Sequence, residues 1–287
     1  MFSKVLIANR GAIARRVIQA CQTLGIESVA LYSEADAGAP YLAEASQAHL
    51  LAGNTAQETY LNQEAVLAAI RATGADAVHP GYGFLAENAA FAEAVERAGT
   101  RFIGPRPNWL ATMGDKVAAR DLAESHGFPV FAGSDRLNVD ASARDIAQAA
   151  DRVGFPLLVK PVGGGGGIGM RVVESADQLE SAVRQAGVLA SKAFGDGGLF
   201  LERWAPTARH IEFQILGDGN GGALHLYERD CSLQRRHQKV LEESPAPGID
   251  RAEIEAMAAK AQRLVAEIGY DNVGTLETLR AAADDYG

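Results

Sequence analysis

The chain has 287 residues, 47% of them hydrophobic and 22% charged, which is ample material for a core and points to roughly two domains. With 27 basic against 36 acidic residues the net charge is −9, which argues against nucleic acid or an anionic membrane as a general partner but leaves room for a local basic pocket. Two cysteines, Cys21 and Cys231, exclude a disulfide scaffold or a cysteine-built zinc site and point to a reducing cytoplasm, and no apolar run approaches a membrane span.

Met1-Phe2-Ser3-Lys4 leads into a strand rather than a signal peptide. Residues 4–9 form a short, nearly continuous apolar run suited to a buried parallel strand. Residues 11–24 have helical spacing, with Ile13, Val17, Ile18 and Cys21 on one face. Strand 28–32, helix 64–73, strand 75–79, helix 88–98 and strand 101–103 follow. This alternation implies βαβ units and an open parallel sheet over residues 1–105. Pro105, Arg106 and Pro107 punctuate the exit into a connector, 106–132, predicted to be helical over 109–126. A smaller α+β unit, 133–204, carries helices over 141–153 and 176–193. The last region, 205–287, pairs strands 211–216 and 223–228 around the turn Gly217-Asp218-Gly219-Asn220. It continues with an amphipathic helix over 252–268 and a strand beginning at 274–279. Asp284-Asp285-Tyr286-Gly287 reads as a turn. The fold class is α/β, with a Rossmann-like parallel sheet first and two α+β portions after it.

Five consecutive glycines, Gly163, Gly164, Gly165, Gly166 and Gly167, sit between the strand runs 157–160 and 170–173, and Lys160 closes the first run. Without Cβ atoms, consecutive glycines let several backbone N–H groups turn toward one anion, and a nearby lysine adds charge for a phosphate. The string Gly164-x-Gly166-x-x-Gly169 fits a dinucleotide pattern only if a helix opens after it, and a strand follows instead. A P-loop would need Gly-Lys-Ser/Thr, which Ile168-Gly169-Met170 does not supply. A plain linker would be polar on both sides. The context favours a hairpin that covers phosphates.

A second segment, residues 228–239, is polar and rich in cations: Glu-Arg-Asp-Cys-Ser-Leu-Gln-Arg-Arg-His-Gln-Lys. It reads as a solvated surface strand, as a nucleic-acid patch (weakened by the overall acidity and lack of aromatics), or as a wall that binds polyanionic reactants. Alone it leaves these open.

Together the two segments settle the choice, because the chain resembles the biotin carboxylase component of biotin-dependent carboxylases, within the ATP-grasp superfamily. The resemblance begins at Lys-Val-Leu-Ile-Ala-Asn-Arg-Gly from Lys4 and continues through His-Pro-Gly-Tyr-Gly-Phe-Leu-Ala-Glu-Asn from His79 and Phe-Ile-Gly-Pro from Phe102. It runs on through Met-Gly-Asp-Lys from Met113, the glycine hairpin, the 228–239 segment and Gly-Thr-Leu-Glu from Gly274. It implies a pre-ATP-grasp N-terminal domain at 1–105, an ATP-grasp lid at 133–204 and the start of the C-terminal ATP-grasp sheet at 205–287.

The resemblance also implies a chemistry. Members form carboxyphosphate from bicarbonate and ATP, with Mg2+ (or Mn2+), then carboxylate N1′ of biotin. Lys116 and Lys160 match the lysines that hold the ATP phosphates, and Gly163 to Gly167 would close over them. Glu202 matches the acceptor of the adenine amino group, with Arg203 and Ala205 beside it. His210, Gln234 and His237 match residues around the sugar and phosphates. Lys239 matches the lysine that faces bicarbonate and the transferring phosphoryl group, where clustered cations are the expected machinery. Glu277 matches the first Mg2+ carboxylate, a hard oxygen ligand. Tyr82 and Glu87 lie in a loop toward the biotin end. His49, His126 and His225 are read as structural. The implied partners are a biotin carboxyl carrier domain, a carboxyltransferase and a second copy of the chain. No nucleic acid and no membrane is expected, and the compartment is cytoplasmic.

The sequence departs from the family pattern in several places. Arg203 replaces the usual lysine, Ile168 the usual arginine, and Pro161 and Val162 the usual small residues. The family's next strand carries a second metal carboxylate, an asparagine, an arginine and the glutamate that deprotonates bicarbonate. These lie past Gly287, so the 287 residues alone are expected to bind nucleotide without turning over and to leave 274–279 as an unpaired edge. Other readings are a different ATP-grasp carboxylate or carbamate ligase, or a non-catalytic assembly module.

Overall fold

The structure is a computed structural model that describes residues 1–163, 167–236, 238–282 and 285–287. The chain divides into two compact units, Met1–Ala111 and Thr112–Gly287.

The first unit runs β1 (Lys4–Ile7), α1 (Gly11–Leu24), β2 (Glu27–Ser33), β3 (Gln47–Leu51), α2 (Gln63–Thr73), β4 (Ala77–His79), α3 (Ala89–Arg97) and β5 (Arg101–Phe102). All five strands are parallel, in the order β3-β2-β1-β4-β5. Successive residues of β1 feed two different cores. Leu6 packs with Val78, Phe91 and Phe102, while Val5 and Ile7 pack with Ile18, Cys21 and Ala77. A strand buried on both faces needs a continuous apolar run, which is what residues 4–9 supply. Asn62 and Asn88 cap α2 and α3 by accepting from Ala65 N and Phe91 N. Strand β3 escaped the sequence reading. Its Gln-Ala-His-Leu-Leu sits at the sheet edge and buries only Leu51, so it carries no apolar run.

α4 (Pro107–Gly114) spans the boundary between the units, and α5 (Lys116–Ser125) follows at once. The single helix expected over 109–126 is therefore two. Asp115 interrupts it by accepting from Val117 N and Ala118 N as the N-cap of α5.

In the second unit come α6 (Ala143–Val153), β6 (Leu157–Pro161), β7 (Arg171–Val173), α7 (Ala176–Phe194) and β8 (Leu199–Arg203). The strands form an antiparallel sheet, β7-β6-β8, whose Leu157, Val159, Leu199 and Leu201 pack on Ile146, Leu179 and Val183 of the two helices. The glycine run therefore does connect two paired strands. Gly164 to Gly166 lie outside the described residues.

The chain then adds β9 (Arg209–Asp218), β10 (Ala223–Arg235), β11 (Gln238–Glu243), α8 (Arg251–Glu267), β12 (Asp271–Ala282) and β13 (Asp285–Tyr286). Their order is β11-β10-β9-β12-β13, and every described pairing is antiparallel. In β9, Ile211, Phe213 and Ile215 are buried on the face that α8 covers. His210, Glu212 and Gln214 line the opposite face, as the two-residue period of a strand requires.

The structure bears on two expectations. Residues 274–279 pair on one side only: β12 runs beside β9 continuously from Asp271↔Asp218 to Arg280↔Arg209, while on its other side the β13 segment is met only from Leu279 onward, so among the described residues that side of 274–278 is an open edge. The alternating pattern of β9 offers β12 a full-length partner. Residues 285–286 are not a turn but strand β13, paired with Arg280 and Ala282, and Gly287 exchanges backbone hydrogen bonds of 2.6 and 2.9 Å with Leu279.

Candidate active site

The sequence-predicted residues of the second unit gather in two groups. The first lies at the base of the glycine hairpin. Lys160, the fourth residue of β6, donates from Nζ to Glu202 Oε2 at 2.8 Å and sits 5.5 Å from the Phe200 ring on β8. Both side chains of the pair are about four-fifths buried. Lys116 opens α5 and reaches the same place, its backbone N donating to Val162 O at 3.3 Å and its Nζ lying 3.5 Å from that oxygen. Val162 N in turn donates to Gly198 O, so the hairpin base is tied to β8 just before Gly163. Ile168, beyond the glycines, is half exposed. Two lysines thus stand at the base of the hairpin, Lys160 within β6 and Lys116 against Val162, and either could meet an anion.

Arg203 is turned elsewhere. Its Nη2 donates to both oxygens of Asp285 at 3.0 Å, and its guanidinium lies 4.0 Å from the Phe131 ring. It ties β8 to β13. Ala205, two residues past β8, is half buried, with its carbonyl accepting from Ala208 N.

The second group lies on the open face of the β9–β12 sheet. Arg229, Glu212 and Glu277 are register partners across β10, β9 and β12, so they form a row on one face. Arg229 Nε donates to Glu212 Oε1 at 2.5 Å. Lys239 on β11 reaches into the row, donating to Glu212 Oε2 and to Glu277 Oε1, the latter at 2.5 Å. Glu212 is 3% exposed. Burial alone would push its carboxyl up, but the hydrogen bonds from Lys239 and Arg229 hold it below the usual carboxylate range. Burial alone would likewise lower the Lys239 ammonium, but Glu212 and Glu277 carry it above the ordinary lysine range. Glu212 is thus held as a carboxylate and Lys239 as an ammonium, in a row that sets two basic side chains against two acidic ones.

His210 joins from β9. Gln234 Nε2 lies 2.9 Å from His210 Nδ1 and also donates to Cys231 O at 2.9 Å. With Nδ1 accepting, the ring proton belongs on Nε2. That Nε2 is buried with no hydrogen-bond partner among the described residues and sits 3.8 Å from Glu277 Oε1. Burial lowers its pKa, against the opposing pull of Glu277. His210, Glu212 and Glu277 bring ligand-type atoms within 4.8 Å of one another. His237 lies outside the described residues.

Sequence reasoning missed Glu212 and Arg229. The signal was present in β9 as His-Ile-Glu-Phe-Gln, a polar face alternating with the apolar one.

Tyr82 and Glu87 belong to the first unit, in the loop after β4. Asn9, fully buried, donates from Nδ2 to Pro80 O and Tyr82 O at 2.8 and 2.9 Å. Gly81, at φ 66°, passes so close to Ile13 and Asn9 that a Cβ would come within 2.7 Å of both. The loop is thus fixed while the Tyr82 side chain stays 73% exposed.

Comparison with known proteins agrees with this geometry. The family profile described as biotin carboxylase, N-terminal domain, matches residues 1–110. The profile described as carbamoyl-phosphate synthase L chain, ATP binding domain, matches residues 115–286. A biotin carboxylase of Pseudomonas aeruginosa is 46% identical over 97% of this chain and 62% of its own length. A crystal structure of a biotin carboxylase–β,γ-ATP complex from Campylobacter jejuni superposes with a TM-score of 0.94 at 40% identity, over 100% of this chain and 64% of that one. The biotin carboxylase domain dimer of Hydrogenobacter thermophilus 2-oxoglutarate carboxylase, in complex with MgADP, ADP and bicarbonate, gives 0.91 at 41% identity, over 97% and 61%. The chain spans about three-fifths of the length of each of these three relatives. No helix among the described residues is long and apolar enough to cross a membrane.

Proposed function

The chain belongs to the biotin carboxylase family, and from that premise we propose that it is the ATP-binding part of an enzyme that carboxylates biotin. In that reaction a bicarbonate oxygen attacks the γ-phosphorus of ATP and the bond to ADP breaks, giving carboxyphosphate. Loss of phosphate then releases CO2, which bonds to N1′ of biotin as that nitrogen gives up its proton. The biotin is carried by a separate carboxyl carrier domain, and a carboxyltransferase passes the carboxyl group on. A homodimer is the expected assembly, as in the Hydrogenobacter thermophilus domain.

The observation that carries this reading is the pairing of two cation groups with phosphate-sized tasks, one under the glycine hairpin and one on the open sheet face. Lys116 and Lys160 meet the phosphates, with Gly163 to Gly167 of the lid (133–204) closing over them. Without nucleotide, Lys160 and Glu202 satisfy each other. Nucleotide gives each a new partner, phosphate for the lysine and the adenine amino group for the glutamate. Ala205 flanks the base, Arg203 beside it keeps its guanidinium on Asp285, and His210, Gln234 and His237 flank the sugar and phosphates. Lys239, kept protonated by Glu212 and Glu277, neutralises charge that builds between bicarbonate and the transferring phosphoryl group. Tyr82 and Glu87 serve the biotin end.

The donor set fits Mg2+. Glu277 is a hard oxygen donor, 55% exposed and so open to a hydrated ion, whereas Glu212 is committed to its two cations. Glu277 would hold the ion, which screens phosphate charge when bound. His210, neutral and with its Nε2 proton unpartnered, is fitted to donate to an anion that arrives beside Glu277.

Calorimetric titration of the protein with MgADP tests the reading, alongside Lys160→Ala. We expect saturable binding that the variant weakens by about tenfold or more, since a charge-assisted phosphate contact is lost. Equal affinity in the variant, or no binding by the folded parent, would overturn it.

A further inference from the structure

Strand β10 carries one more residue than β9 across their pairing. Leu224↔Leu216 and His225↔Ile215 set one register, and Glu228↔Phe213 and Arg229↔Glu212 set another, one residue on. The extra residue is absorbed at a bulge where Tyr227 takes a left-handed backbone, φ 62°, with its N donating to His225 Nδ1 at 3.3 Å. The bulge decides which side chains face the row. If the first register ran on, Glu228 would stand opposite Glu212, which already stands opposite Glu277. Three carboxylates would then share one face, and Arg229 would turn toward fully buried Ile211.

Something must hold the shifted register, because each carboxylate or guanidinium depends on it. Glu228 is 1% exposed, on the α8 side of the sheet. Its Oε1 accepts from Ala246 N at 2.8 Å and from Arg251 Nη1 at 2.5 Å, at the start of α8. The Arg251 guanidinium also lies 5.1 Å from the ring of Tyr227, the bulged residue itself. The second oxygen, Oε2, is buried with no partner among the described residues. Burying a carboxylate with one oxygen unsatisfied costs free energy that an apolar residue would not. A residue kept at that cost is doing something packing alone does not require.

We propose that Glu228 is a positioning residue: clamped from behind by Ala246 and Arg251, it locks β10 in the bulged register that puts Arg229, instead of Glu228, opposite Glu212. Its consequence for nucleotide binding rests on the function proposed above; the register does not. Glu228 touches none of the row. It acts through Arg229 and, by way of Glu212, on Lys239.

Cross-strand amide NOEs on the perdeuterated 287-residue chain read the register directly, and MgADP titration reads its consequence. In the parent, β10–β9 contacts should follow the Arg229–Glu212 pairing. Glu228→Ala should shift them toward a Glu228-position–Glu212 pairing and weaken MgADP by about tenfold, the scale of one lost buried charged hydrogen bond. Glu228→Gln, which retains an acceptor for Ala246 N, should restore both. Should Glu228→Ala not fold, Arg251→Ala removes the clamp from its half-exposed end and should produce the same shift, with Arg251→Lys restoring it. Parent register in a folded Glu228→Ala or Arg251→Ala protein would overturn the proposal, whatever the titration shows. A shifted register with unchanged MgADP affinity would leave the lock standing and count against the assigned site instead.

Discussion

The parallel sheet of the first unit and the β9–β12 sheet of the second use neighbouring residues in opposite ways. In β1, Val5 and Leu6 enter two different cores, so both sides of the strand do the same job. In β9, Phe213 enters a core while Glu212 and Gln214 face a charged surface. Helices cover both faces of the parallel sheet and only one face of the antiparallel one. The lesson is that the charged row lies where a sheet face is left without a helix, and that its positions are set by strand register.

The strongest way to break this comparison is to truncate adjacent residues in each sheet. Phe213→Ala should cost about 3–5 kcal/mol, the range for a fully buried aromatic, while Gln214→Ala should cost about 1 kcal/mol or less. Val5→Ala and Leu6→Ala should both be costly, each about 1–4 kcal/mol. Urea denaturation of the four variants measures this. Similar costs for Phe213 and Gln214 would mean that the second sheet is buried on both faces after all.

The same contrast explains what the sequence disclosed. A strand buried on both sides announces itself, and residues 4–9, 28–32 and 75–79 were legible for that reason. The edge strand β3 buries only Leu51 and was not. Strand β10 was legible to residue 228 and then hidden. Beyond it, Arg229 and Gln234 reach Glu212 and His210 on the open face, so a strand reads as a charged segment. Lys116, Lys160, Lys239 and Glu277 stood out only through family motifs, since a lone lysine on a helix or strand carries no signal of its own. Glu212 was hidden because one acid in an alternating strand looks like a solvent position. Only the placement of Arg229 and Lys239 around it shows a buried carboxylate. The bulge at Tyr227 was beyond reach, because one extra residue has no mark in composition or period.

A smaller effect sharpens the comparison at Glu212. Removing a buried carboxylate from two cations is severe when it strands them. Here Lys239 keeps Glu277 at 2.5 Å and Arg229 keeps Glu242 at 3.7 Å. Glu212→Ala should therefore cost only about 1–3 kcal/mol of stability, yet weaken MgADP by more than Gln214→Ala does. Denaturation and titration of the same two variants check it. A cost for Glu212→Ala as large as for Phe213→Ala would show that the row is a stabilising core rather than a prepared surface.

The smallest effect asks whether the first unit, too, hides an ion pair that matters. Asp36, 7% exposed, accepts from Arg10 Nε at 2.7 Å, Tyr60 Oη at 2.6 Å and Ser33 Oγ at 3.2 Å. Arg10 foremost, against the opposing effect of burial, lowers its carboxyl from 3.8 to about 2. A carboxyl depressed in the folded state stabilises above its unfolded pKa, and the contribution fades as pH falls toward the folded one. Stability from Asp36 should thus be constant above pH 3.8 and decline between 3.8 and about 2. Arg10 is half exposed, so the contribution is about 1 kcal/mol rather than the full value of the shift. Urea midpoints of the parent and Asp36→Asn should run parallel at neutral pH and converge in that acid window. If they instead stayed parallel to pH 2, Asp36 would matter through its hydrogen-bonded shape, which asparagine partly copies, and not through its charge. The most buried ion pair of the first unit would then not work through charge, and the division between a packed sheet and a charged one would be the sharper for it.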